Sequence, residues 1–228
     1  MLLSDILESL QYGELSQVSA SNFNLNEDKD RKRIISNINL GLTEIYKRLP
    51  LKLKEVIIQQ YPHIATYELL DKFSQTKGTE TYKYIEDSSY DEFHESEVIR
   101  VDQIYTEDRE EIPLNNDRAI YSIFTPTANS LQIPYPEEEN AISVIYKAKP
   151  KTISVDAPNS TYVEIPDFLL EPLLTYVASR FLMTVNSETN DTPNYFAKFE
   201  GLIQNINMLG LVNKDNFSNE KVYYDGWV

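Results

Sequence analysis

The chain has 228 residues, 41% of them hydrophobic, with 36 acidic against 21 basic residues and a net charge of −15. That apolar share supplies a core for one large domain or two small ones and excludes wholesale disorder, and the acid excess without a basic patch argues against gripping nucleic acid by its phosphates. No cysteine and only two histidines, His63 and His94, exclude disulfides, thiol chemistry and a multi-histidine metal site.

Leu2, Leu3, Ile6, Leu7 and Leu10 fall at helical spacing, and Gly13 stops that helix. Asp5 and Glu8 interrupt its apolar character, and it has neither a basic lead nor a small-residue cleavage site, so it does not read as a signal peptide. Residues 16–26 are polar and loop-like. A second helix opens near Asp28, carries Ile34, Ile35, Ile38, Leu42, Ile45 and Leu49 on one stripe, and ends at Pro50. Acids at its start and Lys47 and Arg48 at its end suit the helix dipole.

Residues 51–161 have a different texture. Runs at 53–60, 98–105, 131–133 and 142–146 are β-rich and bounded by Pro, Asn and Glu, and 162–165 is a further candidate strand. Short strands without intervening helices predict an antiparallel sheet. Residues 61–97 are polar, acidic and rich in tyrosine; a short helix at 69–73 and otherwise a projecting loop are expected there.

Pro166 marks the start of a third helix with a wide apolar face, Leu169, Leu170, Leu173, Leu174, Val177, Ala178, Phe181, Leu182 and Val185, too broad for one-sided burial. Pro172 falls near its first turn, where a missing N–H costs least. A polar linker at 186–192 leads to a last helix with Tyr195, Phe196, Phe199, Leu202, Ile203, Ile206 and Leu209 as its buried face and Gly210 as its cap. The expected fold is α+β: an antiparallel helix bundle built from both chain ends (1–50 and 166–212), an inserted antiparallel β-rich module (51–165) and an extended C-terminal tail (213–228). No stretch is apolar enough to span a membrane.

Chemistry of sites is sparse. Neither a phosphate-binding glycine loop, nor HExxH, nor GxSxG occurs, and no catalytic, cofactor-binding or metal residue is assigned. The acidic runs Glu107-Asp108-Arg109-Glu110-Glu111 and Glu137-Glu138-Glu139 read as solvated turns rather than acid–base pairs, and the acids of 87–97 lack the glycine and spacing of a calcium loop. A carboxylate-based hydrolase is the remote alternative. Tyr82, Tyr84, Tyr90 and Phe93 have only Lys83 as a basic companion, which favours self-packing or protein contacts over base stacking. The tail is unusual: Val222, Tyr223, Tyr224, Asp225, Gly226, Trp227 and Val228 put the sole tryptophan next to the end, where polar residues are the rule. Aromatic anchors of this kind fill pockets, on another protein or on the chain itself.

Four blocks of the chain carry a resemblance. They are Leu2-Leu3-Ser4-Asp5-Ile6-Leu7 through Tyr12-Gly13-Glu14-Leu15-Ser16; Ile38-Asn39-Leu40-Gly41-Leu42 ending in Tyr46-Lys47-Arg48; Ile112-Pro113-Leu114-Asn115-Asn116-Asp117 with Ser122-Ile123-Phe124-Thr125-Pro126 and Leu131-Gln132-Ile133-Pro134-Tyr135-Pro136; and Val163-Glu164-Ile165-Pro166 with Tyr224-Asp225-Gly226-Trp227-Val228. Together they resemble the head–tail adaptor (connector) proteins of short-tailed bacteriophages; residues 61–97 and Pro172 depart from that pattern. The resemblance implies a virion protein of the neck, made in the host cytoplasm, with no enzymatic activity. It implies a ring of twelve copies beneath the portal protein that extends the DNA channel, lets double-stranded DNA pass without specific binding, and presents a surface to the next tail or nozzle ring. The segment from Val222 to Val228 would bind the portal. Another tail subunit or a channel stopper is the alternative within the same class.

Overall fold

The computed structural model describes residues 1–16, 27–138, 140–185 and 195–212. The fold is mixed α+β, with four helices and an antiparallel sheet of four strands. Two compact units make it up: residues 1–50 with the chain from Pro150 onward, and Leu51–Lys149.

The first unit contains helices α1 (Leu3–Tyr12), α2 (Asp28–Arg48), α3 (Leu170–Val185) and α4 (Tyr195–Met208). Helix α3 packs against each of the other three, which is why its apolar face runs almost all round: Leu173, Val177, Ala178 and Phe181 are fully enclosed. The whole α2 stripe from Ile34 to Leu49 is buried as its spacing predicts. Gly41 lets α2 and α3 approach closely, because a Cβ there would stand 2.8 Å from Leu173 Cδ1 and 3.0 Å from Tyr176 Cδ1. Arg48 ties α2 to α4: it pairs with Glu44 at 3.0 Å and Glu200 at 2.6 Å and lies over the Phe199 ring. The hydrogen bond from Arg48 holds the Glu200 carboxyl below its ordinary pKa. Gly210 adopts φ 65° just past α4, as a C-terminal cap requires.

Residues 150–165 lie in this unit rather than in the β module where the sequence suggested them. Side chains of α2 satisfy their backbone. The Asn39 amide donates to Ile153 O (2.8 Å) and accepts from Ile153 N (2.9 Å), and Tyr46 Oη donates to Glu164 O (2.6 Å). Burial pushes the Tyr46 phenol up to about 12. The candidate strand at 162–165 forms only an isolated bridge, Leu2 to Tyr162. Val163 N donates to Met1 O and Leu3 N to Thr161 O, so this segment holds the start of α1.

The second unit is a sheet in the order β3-β1-β6-β4, all pairs antiparallel: β1 (Leu53–Gln59), β3 (Ile85–Glu86), β4 (Val98–Thr106) and β6 (Ala141–Ala148). A two-stranded ribbon, β2 (Thr66–Glu68) with β5 (Ser130–Gln132), accompanies it. Alternation places Val56, Ile58, Val144 and Tyr146 on the core face and Ile57 on the other.

Residues 61–97 do not form a projecting loop. They supply β2, β3 and much of the core, with Tyr67, Leu69, Tyr84, Ile85 and Phe93 all buried. The expected short helix at 69–73 is a single 3₁₀ turn, Asp71–Phe73. Two buried tyrosines act as backbone clamps. Tyr67 Oη accepts from Tyr61 N (2.8 Å) and donates to Tyr61 O (3.2 Å); Tyr84 Oη accepts from Glu68 N (2.8 Å) and donates to Glu68 O (2.9 Å). Each ring fills the core while its hydroxyl satisfies one residue's two polar groups.

Asp87 closes the same region. Its carboxylate accepts from Thr76 N (2.9 Å), Thr76 Oγ1 and Phe93 N (3.1 Å). Burial works to raise its pKa, but the donors from Thr76, Phe93 and Gln75 together outweigh burial and hold it below the ordinary value. A carboxyl with a lowered folded pKa contributes stability that is fully present above its unfolded pKa and is lost as pH falls through the folded value. Asp87→Ala is therefore expected to cost about 1–2 kcal/mol at neutral pH, with the gap from wild type closing as the pH drops below the carboxylate range. Urea denaturation at pH 7 and at pH 3 checks this.

Candidate assembly surfaces

Acid is unevenly distributed. Residues 51–149 hold 19 Asp and Glu against 10 Lys and Arg. Many of the cations there already face an acid of the same chain: Lys54 meets Glu97 at 2.7 Å, Lys77 meets Glu92 at 2.6 Å, and Arg100 meets Asp102 at 3.7 Å. A further group of acids lies at the end of the sheet where β1 and β4 finish and β6 begins. The turn after β4 is built by Arg109 N donating to Thr106 O and Thr106 N to Glu110 O, with Arg109 at φ 66°. Glu107, Asp108, Glu110 and Glu111 are exposed on it, with Glu107 Oε1 accepting from Ala141 N at 3.0 Å, and Glu137 and Glu138 of the second acidic run are exposed too. Glu139 lies outside the described residues.

A cleft of about 390 Å³ opens beside this turn. Its shape follows from how the chain returns after β4. Ile112 N donates to Ile104 O at 2.8 Å, which lays the chain along the strand edge. Pro113 O then accepts from Ile123 N (3.0 Å) and Ser122 Oγ (3.0 Å). The Asn115 side chain brackets Thr125, donating to its Oγ1 and accepting from its N–H, both at 2.9 Å. On the opposite wall Gln60 Oε1 accepts from Glu137 N at 3.0 Å, and Asn140 Nδ2 donates to Glu137 Oε2 at 3.2 Å. Ile123 and Ile133 form a buried apolar floor. Tyr121 and Tyr135 stand on the sides, 74% and 67% exposed. Glu110, Glu111 and Glu137 supply the polar part of the lining.

The helical unit offers a second apolar set: Met208, Leu209 and Leu211 at the end of α4 are exposed, as is Phe196 at its start. Phe196 and Leu209 belong to the face expected to be buried, and only Phe199, Ile203 and Ile206 of that face are enclosed.

The aromatic tail, Val222 to Val228, lies outside the described residues. The acids at the start of α2 are surface groups, Asp28 pairing with Lys32 at 2.9 Å. His63 sits in an aromatic group with Tyr61 and Tyr82, its ring centroid 4.6 Å from that of Tyr82. Of the four aromatics around Lys83, Tyr84 and Phe93 are core residues, whereas Tyr90 is fully exposed. Among the described residues no group of three metal-ligating side chains converges. Tyr121 lies outside the blocks that carry the resemblance, and Tyr135 falls within one of them without an assigned role. Their signal is a large aromatic in a polar, proline-punctuated loop, most visible in Pro134-Tyr135-Pro136.

With this architecture in place, comparison with known families is decisive. Residues 10–219 match the SU10 adaptor protein family. The chain belongs to that family. Membership makes this chain a phage adaptor, a structural virion component that contacts other head–tail proteins. A structural family of this kind points away from catalysis. The match begins within α1, spans both units and stops before the aromatic tail. No curated protein matches the chain. No helix among the described residues is long and apolar enough to cross a membrane.

Proposed function

We propose that this adaptor docks as a ring of twelve copies beneath the portal protein, continues the DNA channel, and joins capsid to tail for genome retention and ejection. The observation that carries the reading is the family match across residues 10–219. In this reading 222–228 seats Tyr223, Tyr224 and Trp227 in pockets of the portal, and the polar stretch 213–220 is the tether. A closed ring needs two different complementary faces on each copy, and a helical unit with an acid-rich β unit supplies chemically distinct surfaces. Surplus acid facing the lumen would repel the phosphates of passing double-stranded DNA. The face away from the portal would receive the next tail or nozzle ring.

A reconstruction of the virion neck tests the proposal. Twelve copies touching the portal are expected. Density for the chain elsewhere in the tail, or in another symmetry, would instead make it a different tail or stopper subunit.

A further inference from the structure

The cleft at the acidic end of the β unit combines features that ordinary surfaces keep apart. Larger exposed apolar patches rimmed by polar residues mark protein–protein contact sites. Here Tyr121 and Tyr135 flank buried Ile123 and Ile133, and Ile120 beside them is 74% exposed. Tyr is among the side chains most often found as interface anchors, because it covers much area with few rotatable bonds. The cleft is also held open by construction. Proline occupies both sides, Pro113 and Pro134, and the hydrogen bonds of Ser122, Asn115 and Gln60 fix the loops that form them. Such a groove is preformed, so an occupant does not bear the cost of ordering it.

Charge selects the occupant. Glu110, Glu111 and Glu137 line the cleft, and Glu107, Asp108 and Glu138 are exposed on the two acidic runs that flank it. Nucleic acid is repelled by this arrangement, and an acidic peptide equally so. A second copy of this chain is a poor match, since 36 acids face only 21 bases in each copy and many described cations are engaged by acids of their own chain. We infer that the cleft is a docking site for an extended, lysine- or arginine-bearing segment of a different virion protein. An apolar or aromatic side chain of that segment would sit on Ile123 and Ile133 between Tyr121 and Tyr135, with flanking cations on Glu110, Glu111 and Glu137. The inference rests on the adaptor reading for the partner being a neighbour in the virion, while the cleft and its charge stand on geometry. It would give the adaptor an attachment point in the β unit in addition to the one proposed for residues 222–228.

Site-specific photocrosslinking in assembled virions tests this. A benzoylphenylalanine is placed at position 135 of the full chain, with the same group at the fully exposed Tyr90 as the control outside the cleft. The expected result is a crosslink from position 135, not from 90, to a peptide of another virion protein that contains Lys or Arg. Adding Glu111→Lys and Glu137→Lys should reduce that crosslink at least tenfold, while circular dichroism shows an unchanged fold and the chain stays at the neck. A crosslink only to a second copy of this chain would overturn the inference. So would one to a partner peptide that survives the charge reversal, or none from particles whose neck contains the chain. Those outcomes leave the adaptor reading standing. Particles with no copy at the neck would overturn the adaptor reading and the inference together.

Discussion

Removing residues 222–228 is expected to abolish portal docking and to leave the fold unchanged. Large interface anchors commonly cost about 2–4 kcal/mol each when truncated, and the segment carries three aromatics, Tyr223, Tyr224 and Trp227. In a ring, each copy's contribution is compounded through avidity, so the loss in assembled particles should exceed that of any single subunit. The fold should survive, because the helical core around α3 is closed by residues up to Ile206. Co-sedimentation of full-length and truncated chain with the portal reads docking, and the far-ultraviolet helical signal with its melting temperature reads the fold. Trp227 is the only tryptophan, so its fluorescence reports on the tail alone: a blue shift on adding portal is expected. Undiminished docking by the truncated chain, or emission indifferent to the portal, would refute the tail assignment.

The second large effect is expected at Tyr84. Its ring meets Tyr67 edge-on with centroids 5.0 Å apart and stacks on Phe73 at 4.6 Å. Its hydroxyl holds both backbone groups of Glu68. Tyr84→Ala removes the ring and leaves Glu68 N without its acceptor, while Glu68 O keeps its bond from Leu70 N, which should destabilise the protein by about 3–5 kcal/mol. Tyr84→Phe keeps the ring and loses only the clamp, for about 1–3 kcal/mol. Burial pushes the Tyr84 phenol well above its ordinary pKa. The sign follows from linkage: a raised folded pKa gives stability that is fully present below the unfolded value near 10 and is lost as pH rises toward the folded one. Wild type should therefore weaken above about pH 10, and Tyr84→Phe should weaken less steeply there. Chemical denaturation of the three proteins at pH 7 and pH 11 measures both effects. A Tyr84→Ala variant as stable as wild type would mean that residues 61–97 do not contribute to the core.

The contrast between α2 and residues 61–97 shows what sequence patterning reveals. Five apolar positions of α2, Ile34, Ile35, Ile38, Leu42 and Ile45, and Leu49 just past its end repeat at helical spacing, and burial follows the repeat. Strands β1, β4 and β6 are rich in Val and Ile and stand out likewise, within a residue or two at their ends. Tyr67, Tyr84 and Phe93 have no period. Each is a single aromatic in a polar stretch, buried because its ring fills a gap and, for the tyrosines, because the hydroxyl finds a backbone partner. No window average detects that. Residues 150–165 misled for a related reason: they run through turns at 154–157 and 158–161, and Asn39 and Tyr46 of α2 take the place of a neighbouring strand as hydrogen-bond partners of Ile153 and Glu164. The ends of α4 reverse the error, since Phe196 and Leu209 fit the helical stripe yet are exposed among the described residues. The acidic turns were readable as solvated, yet the cleft beside them was not, because its sides come from loops distant in the chain.

The chain enters the β unit and leaves it at neighbouring points: Ala148 N donates to Lys52 O at 2.9 Å, just beyond the pairing of Leu53 with Lys147. Tension reaching this unit through its two connections would therefore act across the base of a single strand pair. It would peel β1 from β6 one rung at a time instead of shearing all their rungs together. A joint of that geometry yields progressively under load.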